Sequence, residues 1–368
     1  MDPLELFKKI ASGEKLEMKT NEIVNTGNTG YGAEFVPSQV FVNQLIDLMP
    51  KYSNLLPLLP GNHGTGLPKI YTAPAKALSI GDTLFQGKGE WTTGRSFDTE
   101  TGTTQSKIKT KQVTLTQVPF ICEVDISDEQ LKYNAANTEQ YVKDEIARGM
   151  ALTVDSIIIN GDSATGATGN VNSSDQAPAT TFAGSGGAKD HRLMIDGGIR
   201  KRAIAGSYTK DFATLADTDY SDLLGVLGRY ATIPGDVLFI QPIQVTMKMK
   251  TLDAFKLYIN SADRATIQSG IVPTPFGVDV LTHHLVPLTL ADGTMSKTAA
   301  SNVKGQTLAL YKPAVQYGFG QDFKLEVVRV AGYGYRLVAT FDFAFNIIDA
   351  DTGLANPTVA AGIDITLS

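Results

Sequence analysis

The chain lacks the features that stabilise small secreted proteins or anchor proteins in membranes. It has one cysteine, Cys122, among 368 residues, which excludes an internal disulfide framework. Cys122 falls on a predicted strand, where we expect a buried and inert thiol. No apolar run approaches the length of a membrane span, and no apolar segment near the start precedes a cleavage site. We therefore expect a protein that is made in the cytoplasm, stays soluble there and has no membrane partner.

Positive charge is also scarce. The chain has 32 Lys and Arg against 38 Asp and Glu, a net charge of −6, and neither Lys nor Arg occurs after Arg336. Proteins that grip nucleic acid by its phosphates need clustered basic residues. This excess of acidic over basic residues excludes a clamp of that kind. The hydrophobic residues, 42% of the chain, are enough for a buried core in one large domain or two intertwined lobes.

Motifs for nucleotide binding and nucleophilic catalysis are missing. Gly64–Lys69 has the wrong spacing for a phosphate loop, and Pro68 would remove one of its amide donors. Gly161-Asp162-Ser163 lacks the second glycine of a nucleophile elbow. The sequence therefore predicts no catalytic residues and no enzymatic activity.

The four histidines do not form a metal site by spacing. His283 and His284 are adjacent, so on a strand they would point to opposite faces and could not share one metal. His63 and His191 fall in predicted loops, where we expect solvated side chains. The sequence predicts no metal and no cofactor.

A long strand runs directly into a helix in the middle of the chain. In the first part of this strand, every second residue lies on one face, which would start in solvent and end in a core. The next part alternates between a buried face and an exposed face. The first series is Lys107, Lys109, Lys111, Val113 and Leu115; the second sets Phe120, Cys122, Val124 and Ile126 against Ile121, Glu123 and Asp125. Ser127 to Gln130 has the form of a capping box and starts the helix.

The helix is expected in two pieces. A break is predicted at Asn134–Asn137, after which Thr138 caps a second helix that ends at Asn160-Gly161. Apolar residues recur at helical spacing along it: Val142, Ile146, Met150, Val154 and Ile157. From Glu139 to Ile159 this second helix would be roughly 30 Å long.

Two segments on either side of this core have few apolar residues. Pro68–Thr72 begins a region that returns only at Thr114–Ile126, and the loop between them is too long and too polar to pack a core of its own. Asp162–Lys189 is rich in Ser, Thr, Ala and Gly, which predicts a solvated surface loop.

The last third of the chain changes character. Strands alternate with helices over about Tyr220–Pro313, with Ser221 as the expected cap of the first helix, which indicates an α/β lobe. Phe319–Leu367 is rich in strands. One long strand there places residues of a single parity in a core, namely Leu337, Ala339, Phe341, Phe343, Phe345 and Ile347.

In order and pattern, these elements resemble the major capsid proteins of tailed phages, the Hong Kong 97-like family. The matching pieces are Gly32–Pro37 before Val40–Met49, the start Ser127, Glu129 and Leu131, the helix end Asp155 with Asn160-Gly161-Asp162, Leu238–Pro242 and Gly277–Val280. The resemblance implies an α+β fold with an N-terminal arm (1–66), an extended β-hairpin loop (67–120) and a peripheral domain with a spine helix (121–219 and 314–368). It also implies an axial α/β domain (220–313).

The same resemblance implies a structural function. Many copies would assemble through pentamers and hexamers into an icosahedral shell that encloses a double-stranded DNA genome without sequence-specific binding. A portal protein and a separate scaffolding protein are the other implied partners. The alternatives are an encapsulin-like protein compartment and, in a different class, a β-rich tail or surface adhesin.

Candidate contacts between subunits lie in the extended loop and in the N-terminal arm. Trp91 either clusters locally with Phe85 and Phe97 or anchors a neighbouring subunit, as Trp often does in interfaces. The first helix of the arm is amphipathic and is either a mobile tail or a contact to a neighbour. The predicted contact residues are Trp91, Phe85, Phe97, Lys88, Leu6 and Phe7. Lys88 lies where some family members cross-link Lys to Asn, but no motif here fixes that match.

Overall fold

A computed structural model describes residues 53–74, 112–166, 168–176, 190–252, 275–320, 324–330, 334–348 and 357–367. The chain divides into two compact units. The described residues of the first unit come from Pro119–Leu152 and Gln321–Asp342, with Ser53, and the remainder belong to the second unit. The predicted arm helix at Val40–Met49 lies outside the described residues.

The first unit is built on an antiparallel sheet. Its elements are β4 (Val118–Ser127), β10 (Lys324–Val330), the first part of β11 (Gly334–Ile347) and the first part of helix α1 (Asp128–Asn160). β10 and β4 both pair with β11. The predicted alternation of β4 is confirmed: Phe120 is buried and stacks on Phe341 at 5.4 Å between ring centroids, whereas Ile121, Glu123 and Asp125 are exposed.

Helix α1 is continuous over 33 residues, so the predicted break at Asn134–Asn137 is wrong. No proline occurs in it, its first glycine is Gly149, and the strong helix formers Ala135 and Ala136 lie within the predicted break. The chain therefore has no local reason to leave the helix, which reaches about 50 Å. Its start after Ser127 and its end at Asn160 are confirmed. So is its buried face, which includes Ile146, Met150, Val154 and Ile157.

A two-stranded antiparallel ribbon precedes this helix and belongs to the second unit. β2 (Ile70–Pro74) pairs with β3 (Gln112–Thr116), with Ile70 opposite Thr116 and Pro74 opposite Gln112. Val113 and Leu115 are buried, and Thr114 and Thr116 are exposed. The chain returns at Thr114 as predicted. The prediction of a single long strand is wrong, because the pairing stops between β3 and β4 at Gln117.

The core of the second unit is a five-stranded mixed sheet in the order β5-β12-β8-β6-β7. Its strands are β5 (Thr209–Asp211), β6 (Val237–Gln241), β7 (Asp279–Thr282), β8 (Lys304–Tyr311) and β12 (Val359–Thr366). β6 and β7 are parallel, and β8 runs antiparallel to β6 and β12. The predicted strands of the α/β lobe are confirmed, but the sheet extends beyond 220–313 because β5 and β12 complete it.

Three helices accompany this sheet: α2 (Ile199–Ala205), α3 (Thr218–Leu227) and α4 (Ile243–Lys250). The predicted cap of α3 at Ser221 is wrong. Asp217 is the cap and accepts a hydrogen bond from the Thr218 amide, because a carboxylate just before the first turn reaches the orphan amides. Ser221 lies inside the helix and donates to the Thr218 carbonyl at 2.6 Å.

A second ladder in this unit joins β1 (Gly61–Asn62), β9 (Val315–Phe319) and the end of β11. Aromatic rings cross the strands, with Phe319 and Phe343 at 5.3 Å between centroids. The predicted parity of β11 is confirmed from Ala339 to Ile347, where every residue of that series is buried. In the described parts of the chain, no helix is long and apolar enough to cross a membrane.

Candidate functional surfaces and a buried arginine centre

Arg200 is fully buried in the second unit. It follows the first residue of α2, and its side chain is saturated with hydrogen bonds. Nε donates to Gln306 Oε1 at 3.3 Å; Nη1 donates to Asn160 Oδ1 at 2.8 Å and Asn172 Oδ1 at 3.0 Å; Nη2 donates to the Val171 and Gly293 carbonyls at 3.1 and 2.9 Å. A guanidinium has five N–H groups, so each has an acceptor.

All five acceptors of Arg200 are neutral. Burial, followed by repulsion from Arg192, lowers the pKa of Arg200 from 12.5 to about 9, and Asp162 and Asp292 oppose that change. The side chain is therefore still a cation at neutral pH. Its charge is stabilised mainly by carbonyl dipoles, with the two carboxylates acting at longer range.

The end of α1 is fastened to this centre. Asn160 donates from Nδ2 to the Leu285 carbonyl at 2.8 Å, and its own carbonyl accepts from Asn172 Nδ2 at 2.7 Å. The Gly198 amide donates to the Gly161 carbonyl at 2.8 Å. A Cβ on Gly198 would lie 2.5 Å from the Gly161 nitrogen, so this backbone approach requires glycine.

The segment after α1 is a solvated loop only in part: Ser163–Gly169 includes exposed residues as predicted, whereas other polar side chains of the segment are packed. Asp162, Asn170, Asn172 and Ser173 are all buried. Asp162 accepts from the Ala164 amide at 3.1 Å and the Val171 amide at 2.7 Å, and it forms an ion pair with Lys201 at 3.2 Å. Short polar side chains here replace water as partners of the backbone, so the same composition that predicts a solvated loop also suits a buried one.

His283 is buried with Asp155, and the prediction that it and His284 point to opposite faces is wrong. β7 ends at Thr282, so the two histidines lie in a turn, with their rings stacked at 5.1 Å. His283 Nδ1 accepts from the Leu285 amide at 3.2 Å. The proton is therefore on Nε2, which donates to Asp155 Oδ2 at 3.2 Å.

Ser156, His191 and Asp190 have the residue types of a catalytic triad but not its geometry. His191 Nε2 lies 2.8 Å from Ser156 Oγ, whereas Nδ1 is 3.7 Å from Asp190, too far for a hydrogen bond. Asp190 is instead held by Arg192 through two side-chain hydrogen bonds of 3.0 and 2.8 Å. Ser156 is buried, so no substrate reaches it. His191 itself is part-buried, which corrects its predicted exposure. No group of metal-ligating side chains occurs among the residues that the structure describes.

Among the exposed apolar side chains of the second unit, which also include Ile70 and Val303, two pairs form small patches. Ile233 and Phe276 lie in turns before β6 and β7, and we call them the turn patch. Ile243 and Met247 lie one turn apart on α4, and we call them the helix patch. Neither patch was predicted from the sequence, because exposure depends on what the rest of the chain covers.

The predicted contact residues are Leu6, Phe7, Phe85, Lys88, Trp91 and Phe97. All six lie outside the described residues, so their role stays a prediction. The described ribbon β2–β3 forms the base from which residues 75–111 continue and return.

Several solved structures have folds similar to that of this chain. A chain of the satellite phage P4 procapsid that includes the size determination (Sid) protein aligns with a TM-score of 0.53 and 11% identity, covering 100% of both chains. Microbacterium phage Oxtober96 gives a TM-score of 0.49 and 13% identity over 97% of both chains. The holo-SrpI encapsulin complex of Synechococcus elongatus PCC 7942 gives 0.46 and 12% identity, over 96% of this chain and 98% of the other. At 11% identity the likeness to the P4 procapsid chain supports the fold alone.

No curated protein matches the chain. The family model described as Phage capsid family matches residues 32–217, just over half of the chain. That range includes the ribbon, β4, the whole of α1 and Arg200, but not the Arg200 partners Gly293 and Gln306. The resemblance to Hong Kong 97-like capsid proteins is thereby confirmed, and the chain belongs to the phage capsid family.

Proposed function

We propose that this protein is the major capsid protein of a tailed phage, whose copies assemble through pentamers and hexamers into an icosahedral shell around double-stranded DNA. The observation that carries the proposal is the family match over residues 32–217, which runs through the ribbon base and the continuous helix α1. Capsid proteins of this family assemble into shells, so the virion capsid is the site of action.

The distribution of charge supports enclosure of DNA rather than tight binding. The net charge is −6, and no Lys or Arg follows Arg336. A shell confines a genome by its walls and needs no basic clamp. We propose that a portal protein and a separate scaffolding protein complete the assembly, and that the chain is made in the host cytoplasm.

Each predicted domain would contribute to assembly in its own way. The arm (1–66) and the extended loop (67–120) would multiply the neighbours of each copy, while the peripheral domain (121–219 and 314–368) and the axial domain (220–313) form the wall. Each single contact would be modest, and closed symmetry makes the sum large.

Expression alone or with a scaffolding protein tests this proposal. We expect capsomers or closed shells by sedimentation and negative-stain microscopy, with nuclease-protected DNA in shells purified from infected cells. Shells that hold a protein cargo and no DNA would indicate the encapsulin-like alternative. A strictly monomeric species at high concentration, with and without partners, would contradict both.

Shortening residues 81–102 to an Asn-Gly turn tests the role of the extended loop. We expect near-native helix content by circular dichroism and no closed shells by microscopy, since the stabilising contacts of the loop would belong to a neighbour. Trp91→Ala should weaken assembly more than it lowers the melting temperature of the subunit, and Trp91→Phe, which keeps an aromatic ring, should weaken it less. Intact shells from the shortened chain would refute the assignment, and an unfolded chain would place the segment in the core.

A further inference from the structure

The turn patch is an exposed apolar surface at one edge of the main sheet. Ile233 is 61% exposed and Phe276 is 54% exposed. Their turns, Pro234–Asp236 and Pro275–Gly277, contact each other, and each precedes one of the parallel strands β6 and β7. Because the amino ends of parallel strands meet at the same edge, the two side chains form one patch.

Phe276 reaches this position through an unfavourable backbone. Its φ is 55° and its ψ is 26°, and Gly277 after it also has a positive φ, of 76°. Bulky residues avoid this left-handed region, and strain of this kind points to function. The turn therefore exposes about half of an aromatic side chain at a conformational cost.

The helix patch is another exposed apolar surface of the same unit. Ile243 is 48% exposed and Met247 is 51% exposed, and their spacing places them on one face of α4. The opposite face is buried through Val245 and Met249. Ile243 follows the carboxyl end of β6, whereas Ile233 precedes its amino end, so the patches lie at opposite ends of that strand.

The charges beside the two patches differ: Asp236 lies at the turn patch, with Arg229 on the contacting turn Gly228–Ala231, whereas the charged side chains of α4 are Lys248 and Lys250. Asp236 is three residues from Ile233 and its amide donates to the Ile233 carbonyl, while Lys250 is three residues from Met247 on α4. Two turn patches face to face would bring two Asp236 carboxylates together. A turn patch against a helix patch would instead bring Asp236 near Lys250, and Phe276 near the polarizable Met247 sulfur.

We infer that the turn patch of one copy binds the helix patch of the next copy, in a head-to-tail contact. The inference rests on the proposed function and adds to it the identity of two surfaces that join subunits. Contacts between two different surfaces of the same chain generate rings when the rotation closes. Each patch has only two large side chains, so a single contact between two copies is weak. Closure of the ring is what stabilises the set of contacts.

Mixing two single-cysteine proteins tests the pairing. Cys122 is replaced by alanine, and Phe276→Cys and Met247→Cys are made in separate chains that are assembled together and oxidised. A disulfide forms only where the Cα atoms come within about 7 Å. We expect the mixture to give at least tenfold more cross-linked dimer than either protein alone, or than Phe276→Cys mixed with Val303→Cys, an equally exposed control at 57%.

Homotypic Phe276→Cys cross-links, or a yield equal to the control, would overturn the head-to-tail contact. Microscopy of the same samples separates the two claims. Shells without the specific cross-link would leave the proposed function standing and refute this inference, whereas the absence of capsomers and shells would refute both.

Phe276→Asn gives an independent test, because it should preserve or raise the stability of the subunit while it weakens assembly. Asn tolerates the left-handed region, so the subunit should melt at the same or a higher temperature. The concentration at which capsomers form should nevertheless rise about tenfold or more, because the ring is lost. Unchanged assembly, or a parallel loss of subunit stability, would contradict a role for Phe276 in a contact between copies.

Discussion

Two polar side chains buried in the same unit differ in whether their hydrogen-bonding groups have partners. Arg200 is fully buried and makes five hydrogen bonds. Gln117 is 4% exposed, and neither its Nε2 nor its Oε1 has a hydrogen-bond partner. Its backbone amide donates to the Lys69 carbonyl. The larger and charged group is thus the better accommodated of the two.

The availability of hydrogen-bond partners, rather than polarity, decides what the burial of a polar side chain costs. The acceptors of Arg200 come from the end of α1, the segment at 171–172, the turn at Gly293 and strand β8. Gln117 lies at the joint between β3 and β4, where the ladder with β2 stops. An unsatisfied buried group costs about 1–3 kcal/mol, and Gln117 has two such atoms.

Removing Arg200 should have the largest effect. Arg200→Leu takes a donor away from five buried acceptors, of which the Val171 carbonyl keeps the Met295 amide, so we expect the free energy of unfolding to fall by at least about 4 kcal/mol. Arg200→Lys, which keeps the charge but has three donors, should lose less. Urea unfolding followed by circular dichroism checks both. Equal stability of the Leu variant and the parent would show that the centre is not structural.

Replacing Gln117 should have a smaller effect of opposite sign. Gln117→Met has a similar shape and removes both unpaired polar atoms, so we expect the subunit to gain about 1–2 kcal/mol. Gln117→Glu is the matched control and should destabilise, because it adds a charge at the same buried position. Thermal melting of the three proteins gives the order. A less stable Met variant would mean that the amide finds partners in solution.

His191 is an intermediate case, with one good hydrogen bond, and should have the smallest effect. Burial lowers its pKa, with repulsion from Arg192 in the same direction and attraction to Asp190 opposing. The unfolded chain therefore takes up a proton near pH 6.5 before the native state does. Its contribution to stability is complete above that pH and declines as the pH falls toward the folded-state pKa.

His191→Gln should remove that dependence. The difference in unfolding free energy between the parent and the variant should be larger at pH 7.5 than at pH 5, as measured by urea titrations at both values. A difference that grows as the pH falls would contradict the assigned direction of the pKa change.

Much of the local structure could be predicted. The buried face of α1 at Ile146, Met150 and Val154 follows from helical spacing, and the alternation around Phe120 follows from the pleat of a strand. The errors are also local: the supposed break at Asn134–Asn137 and the cap at Ser221. In both cases a stronger local preference prevailed. Alanines in a segment free of proline kept the helix continuous through the supposed break, and the Asp217 carboxylate capped the helix before Ser221.

The Arg200 centre was missed because nothing near Arg200 in the sequence marks it. The one available signal was the series of Asp, Asn and Ser side chains at Asp162–Ser173, which are suited to satisfy buried backbone groups as well as to face water. The apolar patches on the turns and on α4 gave no signal either, since Ile233 and Met247 look like ordinary core residues in the sequence.

The sequence by itself determined the order and type of the elements, and with them the resemblance to the phage capsid family. Periods of two and 3.6 residues are properties of the backbone and are visible in any short stretch. Tertiary structure alone decided which polar groups are satisfied and which apolar groups stay exposed. Arg200 meets Gln306 across 106 positions and Asn160 meets Leu285 across 125, and no local rule of the chain encodes such a meeting.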